Sequence, residues 1–169
     1  MHSLYLMRHA KSEWHSAAKS DFDRPLNQRG SKDAARMGQY LQQQNIKPGL
    51  VLSSSAERAK QTALAVVDAL HMNPDQILFN KDLYLADRPT LLKILHSVPD
   101  ATDSVLLVAH NPGLDDLVEW LAPEPPSLSE SGKLMTTAAI AMFAVPKPWA
   151  KLKRNTTRLV QLLRPKELA

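Results

Sequence analysis

The stretch Val105-Leu106-Leu107-Val108-Ala109-His110-Asn111-Pro112-Gly113-Leu114 (VLLVAHNPGL) joins two unlike patterns. Five apolar residues with no polar interruption predict a strand buried on both faces. Asn111 is a favourable N-cap and Pro112 a favourable first helical residue. After them Leu114, Leu117, Val118 and Leu121 share one helical face, with Asp115, Asp116 and Glu119 on the other. A strand feeding a helix is half of a βαβ unit. The residue at the junction is a histidine, His110.

The same grammar extends in both directions. LYLM (residues 4–7) is a short apolar run that ends in Arg8 and His9. Ala34, Met37, Gly38 and Leu41 recur at helical spacing and predict a helix over 31–44. Pro48 and Gly49 break the chain, and LVLS (50–53) follows as a strand. From Ser55 a second helix buries Ala59, Ala63, Val66, Val67 and Leu70, and stops at Asn73 and Pro74. QILFN (76–80) is a weaker strand, and Pro89 opens a helix reaching about His96. Beyond the helix after His110, APEPPSLSESGK (122–133) reads as an exposed loop. AAIAMFAV (138–145) and TRLVQLL (157–163) read as two final strands paired across PKPWAKLKRN. Alternating strands and helices place the chain in the α/β class, with residues 1–169 as a single domain.

Composition narrows the function. There is no cysteine among the 169 residues, so disulfides, thiolate metal sites and thiol nucleophiles are excluded together. No apolar run approaches the roughly 20 residues of a membrane span, and no secretory leader is evident, so a cytoplasmic protein is expected. The net charge of +4 is modest and aromatics make up only 5% of the chain. Without a stacking platform or a recognition motif, the basic residues near the end read as a solvated surface and not a nucleic-acid site.

Polar residues of unusual kind collect at three strand ends: Arg8 and His9, then Ser53 to Ser55 with Arg58 in the next helical turn, then His110. Ligands of open α/β sheets bind outside the carboxyl ends of strands, so three parallel neighbours would bring these groups into one crevice. Arginine forks match phosphate oxygens, and helix N-termini add donors for an anion. A histidine between arginines is biased toward its neutral, nucleophilic form. A second histidine can stabilise charge on an equatorial oxygen. Taken singly, each residue has a structural reading as well: a core histidine, a surface ion pair, a helix cap. The residue chemistry leaves both open.

The ordered set decides more. LMRHAKSEW, SSSAERAKQTA and VLLVAHNPGL, at intervals of about 50 residues, resemble the three motifs of the histidine phosphatase superfamily, which includes the cofactor-dependent phosphoglycerate mutases. Within it, RHAKSEW, DFDRPLNQRG and LVAHNPGL are similar to the small SixA-type phosphohistidine phosphatases, over about residues 3–145. The resemblance implies a three-layer α/β/α sandwich with a mostly parallel central sheet. It implies His9 as the nucleophile that becomes phosphorylated, with Arg8, Arg58 and His110 as the phosphate pocket, and neither metal nor organic cofactor. Ala10 stands where the family usually has glycine. The family's larger members carry a glutamate acid after the second motif, where this chain reads DLYLADRP (82–89).

Asp21, on a loop expected to reach the pocket, is the first substitute acid and Asp87 the second; loop capping or arginine pairing accounts equally well for both. Ser12 and His15 are expected at the substrate rim. Arg24 and Arg29 are expected there too, or paired with Asp21 and Asp23. Trp14 is expected beside the site or in packing, and His2, His71 and His96 in structural or surface roles. Ser53 to Ser55 lack the glycines of a nucleophile elbow. Lacking a strong acid, the site suits a good leaving group such as imidazole better than a sugar alkoxide. Phosphohistidine on a protein, for instance a histidine-phosphotransfer domain, is therefore the expected substrate, at a site open for want of a lid after the second helix. A small phosphorylated molecule is the alternative, and a non-catalytic phosphate binder a third.

Overall fold

The computed structural model describes residues 1–168. Its centre is one six-stranded sheet built from β1 (His2–Arg8), β2 (Leu50–Ser54), β3 (Ile77–Asn80), β4 (Ser104–Ala109), β5 (Ile140–Val145) and β6 (Arg158–Leu163). The spatial order is β3-β2-β4-β1-β5-β6. The first four run parallel; β5 and β6 are antiparallel to their neighbours. Helices α1 (Gln28–Gln43), α2 (Glu57–Ala69), α3 (Arg88–His96) and α4 (Gly113–Leu121) cover its two faces.

Strand alternation explains the layering. Leu4, Leu6, Val105 and Leu107 point to one face, against Leu91 and Leu95 of α3, Leu114, Leu117 and Val118 of α4, and Trp149. Met7, Val51, Leu106 and Val108 point to the other, against Met37 and Leu41 of α1 and Ala63, Val66 and Val67 of α2. The result is the expected α/β/α sandwich. His2 stacks on Trp149 with ring centroids 4.9 Å apart and is buried, and the Nε2 of His96 lies 2.7 Å from the Leu152 carbonyl; both are structural.

The helix starts shift from the sequence expectation, and α2 begins at Glu57, two residues after Ser55. α1 begins at Gln28, three residues early, because the Asn27 side chain accepts from the Gly30 N–H at 2.8 Å and opens the helix before its first buried apolar residue, Ala34. α4 begins at Gly113, with Pro112 just outside it; the Asn111 side chain nevertheless accepts from the Asp115 N–H at 3.0 Å.

Glycine is required at two junctions. A Cβ on Gly113 would fall within the Ala86 carbonyl, and one on Gly30 within that of Lys11. The first seats the loop before α3 against α4. The second seats α1 on the segment following His9.

Candidate active site

β2, β4 and β1 are adjacent and parallel, so their carboxyl ends lie side by side. The register pairs Arg8 with Ala109, which sets His9 beside His110, and the His9 N–H donates to the Ala109 carbonyl at 3.1 Å. The two imidazoles have centroids 5.1 Å apart. Arg58, from the first turn of α2, brings its Nε to within 3.4 Å of His9 Nε2. The crevice expected from three strand ends thus assembles His9, Arg58 and His110, with Arg8 immediately before the first.

His9 has a defined tautomer. Its Nδ1 lies 2.8 Å from the Ala10 carbonyl oxygen, which can only accept, so Nδ1 carries the proton and Nε2 keeps its lone pair. Burial first, then His110, Arg58 and Arg8, press its pKa down to about 3, against the raising effect of the Ala10 contact. His110 is also held down to about 3, by burial and then by Arg58. Its Nε2 lies 2.8 Å from Ser54 Oγ, which already accepts from the Ala56 N–H. We assign the Ser54 proton to that bond, which leaves the His110 ring proton on Nδ1. That nitrogen and Arg8 Nε are buried without a hydrogen-bond partner. Two unsatisfied donors beside a His9 Nε2 that accepts only the long Arg58 Nε–H contact are what a tetrahedral anion would complete.

Thr62 braces the segment that carries His9. Its hydroxyl accepts from the Ala10 N–H at 3.0 Å and donates to the Arg58 carbonyl at 2.7 Å, which ties α2 to the backbone after His9. Ala10 itself is buried and does not occupy the left-handed region, so alanine replaces glycine there without backbone strain.

The site is more closed than the sequence suggested: His9 is 7% exposed, Arg58 3% and His110 1%. The cover is the loop between His9 and α1, joined by Tyr84 from the segment after α2. It folds back through the Glu13 N–H on the Pro25 carbonyl and the Asn27 N–H on the Lys11 carbonyl. From it Asp21 grips Arg58, with its backbone carbonyl on Nη1 at 2.8 Å and its carboxylate on Nη2 at 3.0 Å. Tyr84 donates its hydroxyl to the same carboxylate and sets its ring edge-on to His110.

Asp21 therefore reaches the pocket, but as an ion. Tyr84, then Arg24 and Arg58, hold its carboxyl down to about 2, so it has no proton to give at neutral pH. Asp87 caps α3 by accepting from the Thr90 N–H and is exposed. Ser12 is buried with its hydroxyl bound by Arg24, and His15 is exposed; neither side chain hydrogen-bonds to the four pocket residues. Arg24 pairs with Asp21, as one reading anticipated, and lies over the exposed Trp14 ring at 3.7 Å; Arg29 pairs with Asp33. Ser54, Thr62 and Tyr84 were not singled out for these roles. Thr62 falls one helical turn after Arg58 on the buried face of α2, a signal available in the sequence. Tyr84 lies inside the DLYLADRP stretch searched for an acid.

Residues 4–80 match the family model of the histidine phosphatase superfamily, branch 1. The chain belongs to that superfamily. The superfamily member SixA, a protein histidine phosphatase solved with tungstate, superposes with a TM-score of 0.82 at 26% identity, over 99% of each chain. The putative phosphohistidine phosphatase SixA of Agrobacterium tumefaciens gives 0.77 at 28% identity, over 97% of this chain and 99% of that one. The uncharacterized protein Rv1276c of Mycobacterium tuberculosis is 30% identical across 91% of this chain and 96% of its own. Family and fold support a phosphatase, and no described helix of this superfamily member is long and apolar enough to cross a membrane.

Proposed function

We propose that residues 1–169 form one cytoplasmic, metal-independent phosphatase domain that hydrolyses phosphohistidine on a protein, through a phosphorylated His9. The observation that carries this reading is geometric: the His9 Nδ1 binds the Ala10 carbonyl and leaves Nε2 toward the pocket, while the Asp21 carboxylate is taken up by Tyr84, Arg24 and Arg58. The pocket offers a nucleophile, but its nearest carboxyl group holds no proton for an alkoxide leaving group.

Phosphohistidine needs no such donor. Its distal ring nitrogen can carry a proton from solvent. His9 Nε2 attacks phosphorus, the P–N bond to the substrate ring breaks, and that ring leaves with the bonding pair as neutral imidazole. Arg8, Arg58 and the His110 Nδ1–H meet the charge on the phosphoryl oxygens. Water then attacks phosphorus, the bonding pair returns to Nε2, and both hydrogens of the water stay with the departing phosphate. His9 ends neutral, as it began.

Entry of a protein-borne phosphohistidine requires the Asp21 clasp to leave Arg58. The exchange is of one anion for another on the same guanidinium, and the Asp21 side chain is nearly half exposed, so the opening is close to balanced. The expected partner is a phosphorylated histidine-phosphotransfer domain, in keeping with the SixA likeness.

Purified protein should release phosphate from such a domain, and His9→Ala should not. Turnover confined to a simple phosphate ester would replace this reading with a small-molecule phosphatase. Silence on both would favour a phosphate binder.

A further inference from the structure

The carboxyl end of the sheet does not stop at the phosphate pocket. β5 begins beside the end of β1, and β6 ends beside the start of β5. Over this edge opens a crevice of about 480 Å³, on the side of Arg8 away from β4; His9, Arg58 and His110 are not part of its wall. Six cations and three carboxylates line it. Two of the carboxylates are engaged within the wall, Asp33 by Arg29 at 3.7 Å and Glu167 by the buried Arg164 at 3.0 Å. That leaves Arg8, Lys11, Lys133 and Lys166 facing Glu130, an excess of positive charge in a concave space.

We propose that this crevice is a second anion site, and that it receives the carboxylates of an acidic segment flanking the phosphohistidine of the protein substrate. The inference rests on the reading that the substrate is a phosphorylated protein. Arg8 is shared: it stands between the phosphate pocket and the crevice and lines the latter. A ligand filling both must pass around its guanidinium, which donates to the Met135 carbonyl at 3.0 Å. A polypeptide chain can straddle that divide; a compact phosphate ester seated on His9 does not extend across it. Lys133 and Lys166 are exposed, on flexible stems, and present point charges without a fixed fork. Such groups suit carboxylates whose positions vary from one protein surface to another, and they favour encounter as much as final affinity.

The test uses two histidine-phosphorylated peptides of one sequence, with Asp and Glu flanking the phosphohistidine in the first and Ser and Asn in the second. The wild-type protein should show a KM at least fivefold lower for the acidic peptide, and added salt should erode that advantage. Lys133→Glu with Lys166→Glu should abolish or reverse the preference. Lys153→Glu with Arg154→Glu, which changes the net charge equally at the opposite end of the sheet, should leave it intact, and thermal midpoints of all three proteins should confirm folding. Equal KM values for the two peptides in the wild type would overturn the inference, as would a preference that survives in the Lys133 and Lys166 variant. If neither peptide is hydrolysed, the same two flanking sequences are compared in a phosphorylated histidine-phosphotransfer domain, and silence there as well removes the phosphohistidine reading and this inference with it.

Discussion

The carboxylate of Asp21 occupies Nη2 of Arg58 at 3.0 Å, while Nε of the same guanidinium faces Nε2 of His9 at 3.4 Å. One arginine is thus held by an internal anion on one side and addresses the His9 imidazole on the other. Asp21 orients the fork, and also competes with any phosphate for it.

Removing that competitor should strengthen anion binding. Asp21→Asn keeps a polar side chain at the position but withdraws a negative charge from the pocket. The expected outcome is an inhibition constant for tungstate or orthophosphate lower by on the order of tenfold, the equivalent of about 1.4 kcal/mol. Unchanged or weaker inhibition would show that Asp21 does not compete for Arg58.

His9 should stay in one protonation state across the working range. Its pKa, pressed to about 3, and the Nδ1–H contact with Ala10 predict nitrogen NMR signals of a neutral ring protonated at Nδ1 from pH 8 down to pH 5. A titration centred near 6.5 would refute the assignment.

The same two histidines make stability fall on acidification. Burial and the neighbouring arginines hold both down to about 3, below the ordinary histidine value of 6.5. Between those limits the unfolded chain binds more protons, so stability rises with pH in that window and is lost as pH falls from 6.5 toward 3. At pH 5 each ring should cost about 2 kcal/mol. Urea midpoints should therefore drop between pH 7 and pH 5, and His110→Gln should drop less. Asp21, held near 2, contributes its own loss only below the usual carboxylate range.

Gly113→Ala should do damage out of proportion to one methyl group. The new Cβ would meet the Ala86 carbonyl, and the loop it displaces carries Tyr84. A loss of about 1–3 kcal/mol is expected. Phosphatase activity should fall as well, because Tyr84 packs against His110 and binds Asp21. Wild-type stability in this variant would mean that the junction is looser than it looks.

Much of this protein is legible in its residues alone. Apolar runs and helical spacing mark the six strands and four helices, because burial requires a period of two or of 3.6 whatever the final packing. Arg8, His9, Arg58 and His110 are visible because each stands where a strand or helix terminus leaves room for chemistry. Tertiary structure alone decided how those groups are used. The ionised state of Asp21 depends on Tyr84, 63 residues away, and on Arg58, 37 away. The 11–27 loop was expected to reach the pocket, but that it closes over it together with Tyr84 is set by contacts between distant segments. The second basic crevice exists only where β6 and the segment after α4 meet Arg8 and Lys11. Secondary structure is set by periodicity along the chain, whereas charge state and access are set by which distant side chains the fold brings within hydrogen-bonding reach.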